Sequence, residues 1–130
     1  MIVGNDNAKN TTVMVDGVYI TGLGEDMVTG EKDEDFFETS VGAQGDVLKS
    51  TINNQLGTIT VSVQATSPQR KFLLSLARRT DPFPIWCCDK VLNERMGGTM
   101  ANLKTFPEFS RGSEAEDMEF VFQVFDFTVE

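Results

Sequence analysis

A mostly β fold, a sandwich or partly open barrel of about seven strands with one α-helix, is what this sequence predicts. Three observations carry that expectation. From Gly57 to Ala65 the residues alternate without a break: Ile59, Val61, Val63 and Ala65 share one face and Thr58, Thr60, Ser62 and Gln64 the other, the period of a strand buried on one side. Turn-forming groups, Asp16-Gly17, Gly42-Ala43-Gln44-Gly45 and Asn53-Asn54-Gln55, separate short apolar runs, as they do in chains of short strands. Helical spacing occurs in one stretch, after Ser67-Pro68.

Residues 1–11 are polar and Asn-rich, and with no apolar period they are expected to form a flexible arm ahead of a single domain over 12–130. Val13-Met14-Val15 and Val18-Tyr19-Ile20 flank Asp16-Gly17, a pair suited to the positive φ angles of a tight hairpin turn. Thr21 to Asp35 is Gly-rich and acidic with neither period, and is expected to be a long loop, of the kind that belongs to a binding surface or stays mobile. A meander is expected next, with strands over Phe36–Val41, Asp46–Ile52 and Gly57–Ala65.

Ser67 is placed to cap a helix whose first position is Pro68, where the missing N–H costs nothing. That helix is expected to reach about Arg79, with Phe72, Leu73, Leu76 and Ala77 as its buried stripe, and Asp81-Pro82 ends it. Further strands are expected over Phe83–Leu92, with Pro84 at an edge or bulge, and over Thr99–Phe106 after a turn at Asn93–Gly98. Ser110–Glu116 reads as a polar loop. In the final strand, Asp117–Val129, the apolar positions change parity after Val124, which a β-bulge near Val124 or Phe125 would produce.

With 130 residues, 40% hydrophobic side chains and ten Phe, the chain has the material for one core. No run approaches the roughly eighteen apolar residues of a membrane-spanning helix, and the N-terminus lacks the order of a secretory signal, so a soluble, intracellular protein without a membrane anchor is expected. Twenty acidic against eleven basic residues give a formal charge of −9, a field that repels phosphate and disfavours tight nucleic-acid binding. The two cysteines, Cys87 and Cys88, are adjacent. Neighbours on a strand point to opposite faces, so a disulfide between them is strained and reduced thiols are expected.

The sequence contains no histidine, which removes the commonest general base and transition-metal ligand together. Two adjacent thiols do not make a four-ligand zinc site, and Gly22-Leu23-Gly24 lacks the third glycine and the strand-to-helix context of a phosphate loop. No catalytic residue, metal or cofactor is therefore expected. Asp33, Glu34 and Asp35 lie together, but on a hydrophilic loop all three stay ionised, and the ligand spacing of a calcium loop is absent.

Two charged groups remain. Glu25, Asp26, Glu31, Asp33, Glu34 and Asp35 are either a solvated loop or a docking surface for something basic. Arg70, Lys71, Arg78 and Arg79 are either an exposed helix face complementing the helix dipole or a basic edge that meets the acidic loop of another copy.

The order of these parts, Asp16-Gly17, an acidic Gly-rich loop, Gly42-Ala43-Gln44-Gly45-Asp46-Val47, then Thr58-Ile59-Thr60-Val61-Ser62-Val63-Gln64-Ala65-Thr66-Ser67-Pro68 leading into a Leu-bearing helix, resembles the tail tube proteins of contractile-tailed bacteriophages. The likeness runs from about Thr12 to Val129 and is most specific from Gly57 to Leu76. It implies a structural protein of the virion tail, assembled in the host cytoplasm. Copies would form six-fold rings stacked into a tube, each sheet completed into a barrel by its neighbours. The partners implied are a contractile sheath, baseplate and tail terminator proteins, and, transiently in the lumen, a tape measure protein and DNA.

By the same resemblance the region 36–65 supplies lumen strands whose polar face includes Glu38, Lys49, Thr58, Thr60, Ser62 and Gln64, while the arm and the loop over 22–35 make contacts between rings. A negative net charge keeps such a lumen from gripping a polyanion. The tube of a non-contractile tail or a bacteriocin-type particle would share these features. The competing class is a monomeric or dimeric β-sandwich that binds a protein through the acidic loop 22–35.

Overall fold

The computed structural model describes residues 11–108 and 116–130. The expected N-terminal arm, but for Thr11, and most of the polar loop over 110–116 lie outside the described residues. The chain runs β1 (Thr11–Val15), β2 (Val18–Ile20), β3 (Leu23–Lys32), β4 (Phe37–Val41), β5 (Val47–Thr51), β6 (Gly57–Val63), α1 (Arg70–Ser75), β7 (Phe83–Asp89), β8 (Glu94–Leu103), β9 (Met118–Val124) and β10 (Thr128–Val129). The main sheet is ordered β2-β1-β7-β8-β9-β6-β3, with β10 on β8, and it curls into a nearly closed barrel of seven strands.

Parity sets what fills the barrel. Val13 and Val15, Ile59, Val61 and Val63, Ile85, and Phe120, Phe122 and Val124 alternate inward on four strands and are buried almost completely. Phe83 meets Phe122 edge to face, with centroids 6.1 Å apart and planes at 88°, the arrangement the ring quadrupoles favour. Each of these side chains contributes roughly 1.5–3 kcal/mol through burial. Leu73 and Leu76 close one end of the barrel.

The β1–β2 hairpin forms as expected, with Asp16 (φ 51°) and Gly17 (φ 77°) in its turn. The bulge at Pro84 is also present: β7 shifts register on β8 between Phe83 and Ile85. The expected final strand with a β-bulge is instead two elements: a turn at Phe125-Asp126 changes the parity after Val124, and β10 then pairs with β8. Asp126 holds that turn by accepting from the Thr99 and Met100 amides, both at 3.0 Å, and from Thr99 Oγ1 at 2.5 Å.

Three expectations are corrected. The loop expected over 21–35 is largely a strand, β3, paired along β6. Its register shifts between Leu23 and Val28, where Met27 takes φ 48°, and the bulge breaks the alternation that would have marked a strand. The helix is short, Arg70–Ser75 followed by a 3₁₀ turn over Leu76–Arg78. Ser67 does not cap it; its hydroxyl donates to the Thr21 carbonyl (2.7 Å), and Gln69 Oε1 accepts from the Thr21 amide and hydroxyl (both 2.8 Å), so the start of the helix is fastened to the β2–β3 junction. The turn expected at Asn93–Gly98 lies earlier, because Asp89 Oδ1 accepts from the Val91 and Leu92 amides (2.9 and 3.1 Å) and β8 already begins at Glu94.

The meander over 36–65 is the fourth correction. β5 does not pair with β6; β6 lies between β3 and β9, and β4 pairs only with β5. Residues 36–52 are the outer half of one long hairpin. Its inner half is β3–β6, its outer half β4–β5, and the pairing slips by one residue at the joint, between Lys32↔Gly57 and Phe37↔Thr51.

Candidate functional site

The outer half of this hairpin is unlike the rest of the molecule, because every residue of β4 and β5 is exposed. Phe36 (74% exposed), Val41 (70%) and Val47 (68%) are left in water together with Phe37 and Leu48. Apolar side chains that alternate on a pleated strand are usually half covered, and a bare patch of this kind marks an interaction surface. Opposed residues share a face, so Phe37, Thr39 and Val41 lie with Val47, Lys49 and Thr51, and Glu38 and Ser40 with Leu48 and Ser50. The lumen candidates Glu38 and Lys49 thus sit on opposite faces of this ribbon. Lys49 Nζ lies 4.8 Å above the Phe37 ring.

The joint is held by Asp33. Its carboxylate accepts from Thr58 Oγ1 (2.7 Å) and Gln123 Nε2 (2.9 Å), while its amide donates to Leu56 O (2.9 Å). The Thr58 and Gln123 hydrogen bonds hold this carboxyl below the ordinary carboxylate range against a small opposing effect of burial, with Lys104 and Lys32 adding to the lowering. Lys32 Nζ donates to the carbonyl of Glu34 (2.7 Å) and sits 5.0 Å above the Phe36 ring. Asp33, Glu34 and Asp35 are all exposed, so no carboxyl among them has the burial that prepares a proton donor.

Beside the joint lies a cleft of about 760 Å³ between the end of β3, the root of the outer hairpin and β10, lined among others by Glu31, Lys32, Glu34, Asp35, Phe36, Phe37 and Phe127. The sheet is also open here. The Asp33–Leu56 hydrogen bond fixes the alternation of the ladder, so Val28, Gly30 and Lys32 turn their backbone groups away from β6 along a flank that no further described strand covers.

Of the remaining lumen candidates, Thr58 and Thr60 lie on the outer face of β6 in a row with Glu31, Thr29, Gln123 and Val121. Ser62 points the same way but is buried, close under Gly24 and Asp117. Gln64 lies just beyond the strand, its amide donating to Gly22 O (2.7 Å). Among the contact candidates, Glu31 is on β3, and Glu25 and Asp26 are on β3 with side chains outside the described residues. Arg79 pairs with Asp16 and stacks on Phe83 (5.4 Å), and Arg70 reaches Ala65 O (3.4 Å). Lys71 and Arg78 are exposed.

Cys87 and Cys88 are both free thiols, pointing to opposite faces of β7. Burial, with Cys88 and Asp89 nearby, pushes Cys87 up to about 11. Among the described residues no cluster of His, Cys, Asp or Glu could hold a metal ion, and no helix is long and apolar enough to cross a membrane.

In fold, this curled β-sheet with one short helix is similar to chains from contractile injection systems. The PVC sheath/tube terminator of an extracellular contractile injection system, in its extended state, is similar over 100% of this chain and 99% of its own, with a TM-score of 0.68 at 10% identity. A chain of the PVC sheath–tube complex in the extended state is similar over 95% of this chain and 90% of its own, at TM-score 0.65 and 11% identity. The tube-terminating cap of the anti-feeding prophage is similar over 100% and 93%, at 0.64 and 12%. No curated protein matches the chain. At sequence level, the bacteriophage PhiTE tail tube protein family matches residues 7–127. The chain belongs to that family, and a structural role in a phage tail tube follows from the membership.

Proposed function

We propose that this protein is the repeating subunit of a tail tube: copies join side by side into six-fold rings, the rings stack, and the resulting channel conducts DNA during ejection. The observation that carries the reading is the outer half of the hairpin, a paired β-ribbon with all its residues in water and several large apolar side chains among them. A two-stranded ribbon alone is marginal in water, so a second copy that buries this one supplies what the chain lacks. The open flank of β3 serves the same end, since a neighbour's strand can take up the outward backbone groups of Val28, Gly30 and Lys32.

The lumen is lined by the outer face of β3-β6-β9. Thr29, Thr58, Thr60 and Gln123 make that face polar, and Glu31 and Glu119 make it negative, so DNA and a tape measure protein pass without being held. The opposite side of the barrel faces a contractile sheath, and the tube ends meet baseplate and terminator proteins. The work is mechanical, and no residue is assigned a catalytic role.

Negative-stain microscopy and sedimentation of the purified chain test the reading. Rings or tubes, or incorporation into pre-formed tubes of the same particle, are expected. A monomer at all concentrations that also fails to join such tubes overturns it, as does a chain that binds tube ends and stops growth, which is the behaviour of a terminator.

A further inference from the structure

Stacking requires that each copy carry two different surfaces at opposite ends, one fitting the other. β6 separates two such ends. The hairpin enters it at Gly57 and the helix leaves after Val63, so the joint and the helical corner lie at opposite ends of a strand of seven residues, roughly 23 Å long.

The joint end carries the cleft. Its lining combines the rings of Phe36, Phe37 and Phe127 with an exposed acidic rim of Glu31, Glu34 and Asp35, and with Lys32. This lining already accepts cations from its own chain: Lys32 lies over Phe36 and Lys49 over Phe37, at 5.0 and 4.8 Å. Aromatic faces beside carboxylates are suited to long basic side chains, whose stems cover the rings while the charged heads meet the acids. The helix end carries such side chains in Lys71 and Arg78, both exposed. Arg79 is occupied by Asp16 and is not part of this surface.

We infer that the cleft at the root of the hairpin receives the Lys71–Arg78 corner of a second copy, joining copies head to tail. The inference rests on the tube reading and names the surfaces by which rings stack. Opposite charge fixes the register of the contact, and the aromatic lining buries against the stems of the two basic residues. The contact weakens as salt rises.

A charge swap tests it. Lys71→Glu with Arg78→Glu is expected to leave the thermal midpoint within a few degrees of the unmodified chain and to slow tube elongation, followed by light scattering, at least about tenfold. Adding Glu34→Lys with Asp35→Lys to the same chain is expected to restore elongation, and the reversed rim alone is expected to block it. If the unmodified chain elongates and the Lys71→Glu, Arg78→Glu chain elongates equally well, the head-to-tail contact is wrong while the tube reading stands. Failure of the fully swapped, folded chain to recover also overturns the contact. If the unmodified chain never elongates, the tube reading falls and takes this inference with it.

Discussion

The two halves of the long hairpin are built from similar residues and meet opposite fates. In the inner half, Ile59, Val61 and Val63 alternate with Thr58, Thr60 and Ser62, and the apolar side is wholly buried against Phe120 and Phe122. In the outer half, Phe37, Thr39 and Val41 alternate with Glu38 and Ser40, and both sides are bare. Alternation states that one side of a strand needs cover; it does not state whose residues provide it. The inner half finds its cover within the chain, and the outer half finds none among the described residues.

The largest expected effects come from disturbing the barrel that covers the inner half. Phe122→Ala should cost about 3–5 kcal/mol of stability, because the T-shaped contact with Phe83 is lost and a cavity remains. Gly97→Ala should be of similar severity: Gly97 holds φ +144° and a Cβ there would collide with the backbone of Ile85. Chemical denaturation of each purified variant measures both costs, and a loss under about 1 kcal/mol for Phe122→Ala would mean that the barrel repacks around the site. By contrast, Phe36→Ser with Phe37→Ser should change stability by no more than about 1 kcal/mol while suppressing polymerisation in sedimentation.

Acid should act on the fastenings more gently. Burial raises the Asp126 carboxyl, but hydrogen bonds from the Thr99 hydroxyl and from the Thr99 and Met100 amides outweigh it, so the group stays below the ordinary carboxylate range. Asp33 is lowered by Thr58 and Gln123. For both, the folded value lies below the unfolded one. The stabilisation is therefore fully present above the usual carboxylate range and is lost as pH falls through the lowered folded value. Thermal midpoints between about pH 5 and about pH 2 should fall less steeply for Asp126→Asn than for the unmodified chain, and equal slopes would remove Asp126 from the account. The smallest effect is chemical: because the thiolate is the reactive form and burial pushes Cys87 up to about 11, iodoacetamide at mildly alkaline pH should label Cys88 first. Mass spectrometry of the peptides reports the order.

Much of this was legible in the residues. Unbroken alternation placed β6, Asp16-Gly17 placed the first turn, and Pro84 placed a bulge, since each of these is a local rule obeyed locally. β3 was hidden because Met27 shifts the register and because Gly24 and Gly30 stand where other side chains, Asp117 and Ser62 in one case and Met96 in the other, crowd against the strand. A structureless loop of that length was itself a warning that the segment held a strand. The Asp33 joint was hidden for another reason: its partners Thr58 and Gln123 lie 25 and 90 residues away, and nothing in the neighbourhood of Asp33 points to them. The facing of the ribbon within the region 36–65 was not legible, because the slip at the joint separates the parity of β4–β5 from that of β3–β6.

Amide hydrogen exchange, followed by mass spectrometry on the subunit and on its polymer, tests most directly whether the outer ribbon depends on a second copy. Amides of 37–51 are expected to exchange quickly in the isolated subunit while those of 57–63 are protected, and polymerisation is expected to slow exchange over 37–51 by about a hundredfold or more. Strong protection of 37–51 in the isolated subunit, or no gain of protection there on polymerisation, would contradict that dependence.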